Sequence, residues 1–448
     1  MTSQRRANVL EYELVFSQAG GNSAYQIGIF PHGLRKAWYK HMNIIEGGVT
    51  AAQGFEATGV EAAIKYQNRK DMAMVFSRTP CRAAGVFTSN VVKAAPVLWD
   101  KEVVTHSASV QVIVANSGIA NAATGRQGYE CCKKTADKVS QLLGISPDAV
   151  LVASTGVIGN QIPLDRLLAG VEKLADAKAG TIEAGTMAAE AIMTTDTISK
   201  QAAVQIELGG RTVTIGGMCK GSGMIHPNMC TMLGFITTDA AISKELLQEA
   251  LSEDVVDTFN MISVDGDTST NDTLVILANG MAGNPEITTK NDDYYKFKEA
   301  LNYIDTTLAK MMAGDGEGAT ALFETKVIHA ATKQDARILS RSVIASSLCK
   351  AAIYGHDANF GRFLCALGYS GVQFDPENVE LSFENEEKSI LIYKDGTAVP
   401  YSEEEATQVL ASPEVRVLVD MHMGDAQATA WGCDLSYDYV KINADYRS

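Results

Sequence analysis

Apolar residues recur along the chain with two periods. Short runs that alternate, or are continuously apolar, predict strands over 72–77, 110–115, 150–153, 203–208, 211–215 and 273–278. The runs 203–208 and 211–215 are separated only by Gly209 and Gly210. A two-residue glycine loop supplies two positive φ angles without steric cost, so this pair predicts a β-hairpin. Longer stretches with apolar residues three and four apart predict amphipathic helices over 129–143, 164–177, 244–252, 294–312 and 337–354. Late strands are expected over 379–383, 389–393, 415–420 and 437–442. No fixed-period repeat, low-complexity tract or long linker interrupts the pattern. Strands interleaved with helices throughout predict a layered α/β or α+β enzyme.

Composition narrows the function classes. At 448 residues and 46% hydrophobic content, the chain can build two domains or one large sandwich. A net charge of −15 argues against a nucleic-acid surface, which needs clustered lysine and arginine. Eight scattered cysteines without a C-x-x-C pair read as free thiols of a reducing cytosol, so a cytoplasmic protein is expected. No apolar run reaches the ~18 residues of a membrane span. Seven histidines show no His-Glu-x-x-His or paired spacing, which argues against a zinc enzyme, and no metal is assigned.

Residues 1–41 differ from the rest. They carry five basic against two acidic residues, leaving 33 basic against 51 acidic from Met42 onward. Glu11 and Glu13 interrupt the one partly apolar stretch, which is unlike a secretory signal or a transit peptide. Met42 is the expected start of the functional chain, with 1–41 read through from upstream or artificially added.

The chemistry concentrates in Lys220-Gly-Ser-Gly-Met-Ile-His-Pro-Asn-Met-Cys230-Thr231-Met-Leu-Gly-Phe. Glycines and a proline lead into an apolar run whose first residue carries a hydroxyl. Cleavage between Cys230 and Thr231 would give Thr231 a free amine, and an α-amino group titrates near pKa ~8. One residue would then hold both the attacking hydroxyl and the base that activates it. His226 is near this junction and could tune cleavage, although a single loop histidine is more often incidental.

Further blocks accompany that segment. They are Asn116-Ser-Gly-Ile-Ala-Asn-Ala-Ala-Thr-Gly125, Ala153-Ser-Thr155-Gly156-Val-Ile-Gly159, Thr194-Thr-Asp-Thr197, Asp265-Gly-Asp-Thr-Ser-Thr-Asn-Asp-Thr273, Gly314-Asp-Gly-Glu317-Gly-Ala-Thr320, Asp357-Ala-Asn-Phe-Gly-Arg362 and Lys441-Ile-Asn443-Ala-Asp-Tyr-Arg-Ser448. Together they resemble the ornithine acetyltransferase/glutamate N-acetyltransferase family, also called ArgJ, from Met42 to the C-terminus. The resemblance implies an α+β fold, a four-layered αββα sandwich of the DmpA/ArgJ type with a second, smaller α/β lobe. It implies self-cleavage into an α chain, 42–230, and a β chain, 231–448, which holds the smaller lobe, and an α2β2 assembly. The implied reaction moves acetyl from N-acetylornithine to glutamate through acetyl-Thr231. No cofactor is implied, and whether acetyl-CoA is a second donor stays open. An aminopeptidase or amidase of the same self-cleaving fold is the alternative, distinguished by release of free product to water.

Each side chain also has a physical reading. Thr155-Gly156 follows an apolar strand, where a glycine can turn an amide outward beside a hydroxyl; the resemblance assigns this pair to an oxyanion hole. Lys220, at a glycine loop, offers a compact positive charge for a substrate carboxylate. Thr194 is preferred over Thr195 as the substrate-binding threonine. Glu317 lies in a glycine run with no Gly-Lys-Ser/Thr after it, so a substrate ammonium suits it better than a phosphate. The resemblance adds Asn443 and Ser448 as substrate-binding positions, and Thr231 as both nucleophile and substrate contact. The 265–273 acidic loop fails the calcium-loop test, since Thr270 and Ile276 stand where glycine and glutamate are needed. A tight structural turn near the site is expected instead. The 357–362 block is expected to support the pocket, with Arg362 in an ion pair. Cys230 stands where the family commonly has alanine, His356 where it often has asparagine, and Ser448 where threonine is usual.

Overall fold

The computed structural model describes residues 42–226 and 232–445. The segment 1–41, the junction Cys230–Thr231 and the terminal Ser448 lie outside the described residues. In chain order the strands are β1 (Met42–Ile45), β2 (Phe55–Val60), β3 (Met72–Phe87), β4 (Val110–Asn116), β5 (Val150–Ser154), β6 (Lys200–Leu208), β7 (Arg211–Lys220), β8 (Leu233–Thr238), β9 (Ile262–Ser263) and β10 (Thr273–Ala278). The later strands are β11 (Leu322–Ala330), β12 (Glu380–Glu384), β13 (Ser389–Lys394), β14 (Thr397–Ala398), β15 (Glu414–Asp420) and β16 (Ala426–Cys433). The helices are α1 (Ala95–His106), α2 (Gly125–Leu143), α3 (Leu164–Ala177), α4 (Ile182–Ala191), α5 (Lys244–Asp254), α6 (Asp292–Gly314), α7 (Lys333–Ala345), α8 (Ser347–Tyr354), α9 (Phe360–Gly368), α10 (Glu403–Leu410) and α11 (Tyr437–Ala444).

Among the described residues the strands form a nine-stranded and a seven-stranded sheet. The larger runs β1-β6-β7-β8-β10-β3-β4-β5, with β2 also on β3. It is folded over on itself at β3. The first half of that strand pairs with β2 and β4, its second half with β10, and the register shifts between Phe76 and Cys81. Pro80 lies in this shifted stretch, where a missing N–H breaks the ladder and lets the strand change layers. The alternation along β10 shows the result: Leu274 and Ile276 enter a core shared with α5 and α6, whereas Val275 and Leu277 enter a second core with β4, β5 and α3. Two sheet layers with helices outside each make the expected αββα sandwich. The seven-stranded sheet, β14-β13-β12-β15-β11-β16-β9, forms the smaller lobe, carrying α7, with α6 packed between the two sheets.

The Gly209-Gly210 hairpin forms as expected, with φ of 56° and 75° and Leu208 opposite Arg211. Two expected elements differ. The stretch 437–442 is helical, part of α11: its alternation of Tyr, Val and Ile is strand-like, but the segment is a terminal helix with no buried residue, so no sheet neighbour selects the extended form. The helix expected over 337–354 is two helices, broken at Ser346, whose hydroxyl caps the second by accepting from the Cys349 amide at 3.3 Å.

Candidate active site

β7 and β8 are antiparallel neighbours with Lys220 opposite Leu233, so the strands on either side of the Cys230–Thr231 junction share one sheet. A cavity of about 500 Å³ opens at this end of the sandwich. Thr155 and Gly156 line it from the end of β5, Lys220 from the end of β7, and Met232 and Leu233 from the start of β8. Thr194 and Thr195, Glu317 after α6, residues 269–272 before β10, and Asn443 of α11 complete the wall. Five expected site residues, Thr155, Gly156, Thr194, Lys220 and Glu317, thus converge with Asn443 from positions far apart in sequence.

Lys220 is 7% exposed and donates from Nζ to Thr194 Oγ1 at 2.8 Å and to Thr155 Oγ1 at 3.4 Å. Gly156 has φ of +128°, and a Cβ there would collide with the Gly118 carbonyl group. The flanking amides are used, Thr155 N–H donating to Asn116 O and Val157 N–H to Gly118 O. Among the described residues nothing accepts the Gly156 N–H, so this donor is available to a ligand. Glu317 is 6% exposed and accepts from Asn443 Nδ2 at 2.6 Å. Its carboxylate packs so closely on Gly223 that a side chain at that glycine would overlap it.

A buried ion network fixes this geometry. Asp196 accepts from Gly221 N–H at 2.7 Å, Thr194 N–H at 3.0 Å and Lys200 Nζ at 2.8 Å, and lies 3.7 Å from Lys220 Nζ. Lys200, fully buried, also donates to Asp315 Oδ2 at 2.6 Å. Asp315 in turn accepts from Thr197 N–H at 3.0 Å and from the Thr197 hydroxyl. Burial alone would raise the Asp196 pKa, but the Lys220 and Lys200 ammoniums reverse that and hold its carboxyl far below the usual carboxylate range.

The sequence profile of the ArgJ family matches residues 56–448. The chain belongs to the ArgJ family. Over 409 residues it is 53% identical to the arginine biosynthesis bifunctional protein ArgJ of Symbiobacterium thermophilum, covering 91% of this chain and 100% of that one. It is 49% identical over 400 residues to the arginine biosynthesis bifunctional protein ArgJ 1 of Clostridium acetobutylicum, covering 89% and 97%. The solved structure of ArgJ from Bacillus halodurans is 45% identical, covers 47% of this chain and 97% of that one, and has a TM-score of 0.45.

Several residues of this ArgJ-family site were not singled out from sequence. Asp196 and Asp315 lie inside the Thr194–Thr197 and Gly314–Thr320 blocks and Lys200 just beyond the first; the signal is an acid with a lysine four residues later, followed by a β-rich run where a lysine is otherwise costly. Asn271 is another: its Nδ2 donates to the Ser154 carbonyl at 2.8 Å and to that of Ala120, holding the Thr155-Gly156 turn from below. The 265–273 loop is a structural turn beside the cavity, but its acids do not satisfy only one another. Asp265 accepts from the Met224 and Ile225 amides at 2.6 and 2.9 Å, anchoring the segment before the junction.

Two expectations are corrected. His226 is not incidental, since Nδ1 lies 3.0 Å from Ser263 Oγ and Nε2 3.1 Å from Arg341 Nη2. Burial and the Arg341 charge push its pKa down to about 4, so the ring is neutral. The 357–362 block does not line the cavity; it starts α9, and among the described residues Arg362 makes no ion pair, donating instead to the Leu348 carbonyl at 3.2 Å, a helix-to-helix contact.

Proposed function

We propose that this cavity is the acyl-transfer site of a self-cleaving acetyltransferase of arginine biosynthesis, moving acetyl from N-acetylornithine to glutamate. The observation that carries the reading is the convergence of an unclaimed amide, Gly156 N–H, and the Thr155 hydroxyl beside the Lys220 ammonium, next to the strand that begins after Thr231. Relatives with 49–53% identity are arginine biosynthesis proteins, which favours transfer to an amino acid over release to water.

In maturation, Thr231 Oγ attacks the Cys230 carbonyl, the peptide nitrogen leaves as the Thr231 amine, and water hydrolyses the resulting ester. Because β7 and β8 are hydrogen-bonded neighbours, the α chain, 42–230, and the β chain, 231–448, stay in one sheet. In turnover, the Thr231 amine accepts the hydroxyl proton as Oγ attacks the acetyl carbonyl. Thr155 Oγ1 and Gly156 N–H take the developing oxyanion, commonly the largest electrostatic contribution to acyl transfer. The proton passes to the departing ornithine amine, and glutamate's amine then attacks acetyl-Thr231 to release acetylglutamate. Lys220 pairs with a substrate carboxylate and Glu317 with a substrate ammonium, while Thr194, Asn443 and Ser448 complete the substrate contacts. The covalent intermediate requires ping-pong kinetics and no cofactor. The reaction belongs in the cytoplasm, in an α2β2 assembly, with acetyl-CoA tested as a second donor.

Intact-mass measurement on active protein tests the reading: two fragments separated at Cys230–Thr231 are expected. Thr231→Ala gives one unbroken, inactive chain. A single uncut chain with full transfer activity, or substantial transfer by Thr231→Ala, overturns it.

A further inference from the structure

Two histidines 93 positions apart meet at the far end of the smaller lobe's sheet. His329 Nδ1 lies 2.8 Å from Asp420 Oδ1, and His422 Nδ1 lies 3.5 Å from the same oxygen. One donor atom from each of the three residues falls within 4.8 Å of the others, and the imidazole rings lie nearly parallel with centroids 6.2 Å apart. None of these residues lines the acyl-transfer cavity. They are at the end of β11 opposite the Glu317 loop, about 23 Å along the strand from Leu322 at ~3.3 Å per residue.

The backbone is shaped to aim these groups. The β11 to β16 register shifts between Val327 and Ala330, so His329 sits in a bulge, a feature that re-aims side chains. Its φ is +53°, and that of His422 is +49°. The Met423 and Gly424 amides both donate to the His329 carbonyl, at 2.7 and 3.0 Å, which locks the β15 to β16 turn against the bulge. Asp420 holds the third corner by register, opposite Ile328 on β11 and Glu380 on β12.

A carboxylate also stands behind one imidazole. Glu380 Oε1 is 3.4 Å from His422 Nε2, on the ring nitrogen facing away from Asp420. That is the carboxylate–histidine–metal order, in which the outer acid fixes the tautomer and makes the inner nitrogen a better ligand. Zinc bonds to nitrogen and carboxylate oxygen run ~2.0–2.2 Å, so donor atoms around a tetrahedral ion sit about 3.4 Å apart. The two nitrogen-to-carboxylate separations, 2.8 and 3.5 Å, need only small adjustment, and both histidine side chains are about half exposed.

We propose that His329 Nδ1, Asp420 and His422 Nδ1 bind one divalent transition-metal ion, zinc above others, with water completing the shell and Glu380 orienting His422. Two imidazoles and a carboxylate match a borderline ion and disfavour magnesium or calcium, which want oxygen ligands. Binding uses the Nδ1 lone pair of each ring, with the ring proton on Nε2, so the ion takes the place of the hydrogen bond between His329 Nδ1 and Asp420. The ion ties β11, β15 and the β15 to β16 turn together and acts on stability, not on acetyl transfer.

Cobalt(II) titration of chelator-treated full-length protein, followed in the visible and competed with zinc, tests the proposal. Wild type is expected to take up about one equivalent with the intense bands of four- or five-coordinate cobalt, and zinc to bleach them. His422→Ala and Asp420→Asn should abolish the bands. Glu380→Gln should retain them while weakening affinity ~10–100-fold. Zinc should raise the melting temperature of wild type but not of His329→Ala/His422→Ala, whose metal-free melting and acetyl transfer match wild type. The same uptake by wild type and the double variant, or only octahedral, weakly absorbing cobalt, overturns the proposal.

Discussion

Asn443 Nδ2 donates to the Glu317 carboxylate at 2.6 Å, joining a loop after α6 to a helix 126 residues later. The bond makes α11, which buries none of its own side chains, a wall of the cavity. In the proposed site Asn443 also contacts substrate, and a hydrogen bond to a charged group contributes ~1.5–3 kcal/mol, or about tenfold to 150-fold in binding. Asn443→Ala is therefore expected to raise KM for N-acetylornithine by about that factor while cleavage at Thr231 proceeds. An unchanged KM in steady-state assays would remove Asn443 from the substrate site.

Gly156 combines a φ of +128° with contact against the Gly118 backbone, so any side chain forces the turn apart. Loss of one oxyanion donor costs ~100–1,000-fold in kcat. Gly156→Ala should lose at least that much. Thr155→Val, which keeps the shape and removes only the hydroxyl, should lose kcat with little change in KM. If Thr155→Val retained wild-type kcat in single-turnover assays, the hydroxyl would not face the oxyanion.

Much of this architecture was legible because the relevant signals are local. The β6 to β7 hairpin follows from two glycines, and α2, α3 and α6 follow from apolar spacing over many turns. What failed to show in sequence was decided by distant partners. Strand-like 437–442 became α11 because no sheet edge receives it, and β3 changes layers at a bulge that only its neighbours define. The active-site side chains were legible as resemblance to family blocks, one block at a time. Asp196, Lys200 and Asp315 were not, since the pair four residues apart is buried only with Asp315, 115 positions beyond Lys200, closing the network.

Lys200 tests that network. It is buried between Asp196 and Asp315 at 2.8 and 2.6 Å, and burial, which opposes its charge, is outweighed by those two carboxylates, so its pKa is raised. Removing one partner of a buried pair costs ~3–5 kcal/mol because the others stay charged and unpaired. Lys200→Met should lower Tm by about 4–6 °C and reduce transfer through Lys220 and Thr194. Adding Asp315→Asn should recover part of the loss. Strictly additive losses in calorimetry would show that the two do not interact.

The acid pair on α5 and α6 gives a pH dependence of opposite origin. Asp254 and Asp305 are buried and interact, and Asn302 Nδ2 donates to Asp254 at 2.7 Å. Burial, then the neighbouring Asp254 charge, raises the Asp305 pKa well above the ordinary 3.8. Over the interval between 3.8 and that raised value the folded protein holds a proton the unfolded chain has lost. Stability from this group is thus complete below the unfolded pKa and declines as pH rises through the folded one. Asp305→Asn keeps the shape without an ionisable group. Between about pH 5 and about pH 9 its melting temperature should fall less than that of wild type, with the variant gaining most at the alkaline end. Parallel melting curves for the two proteins across that range would mean that Asp305 carries no proton-linked stability.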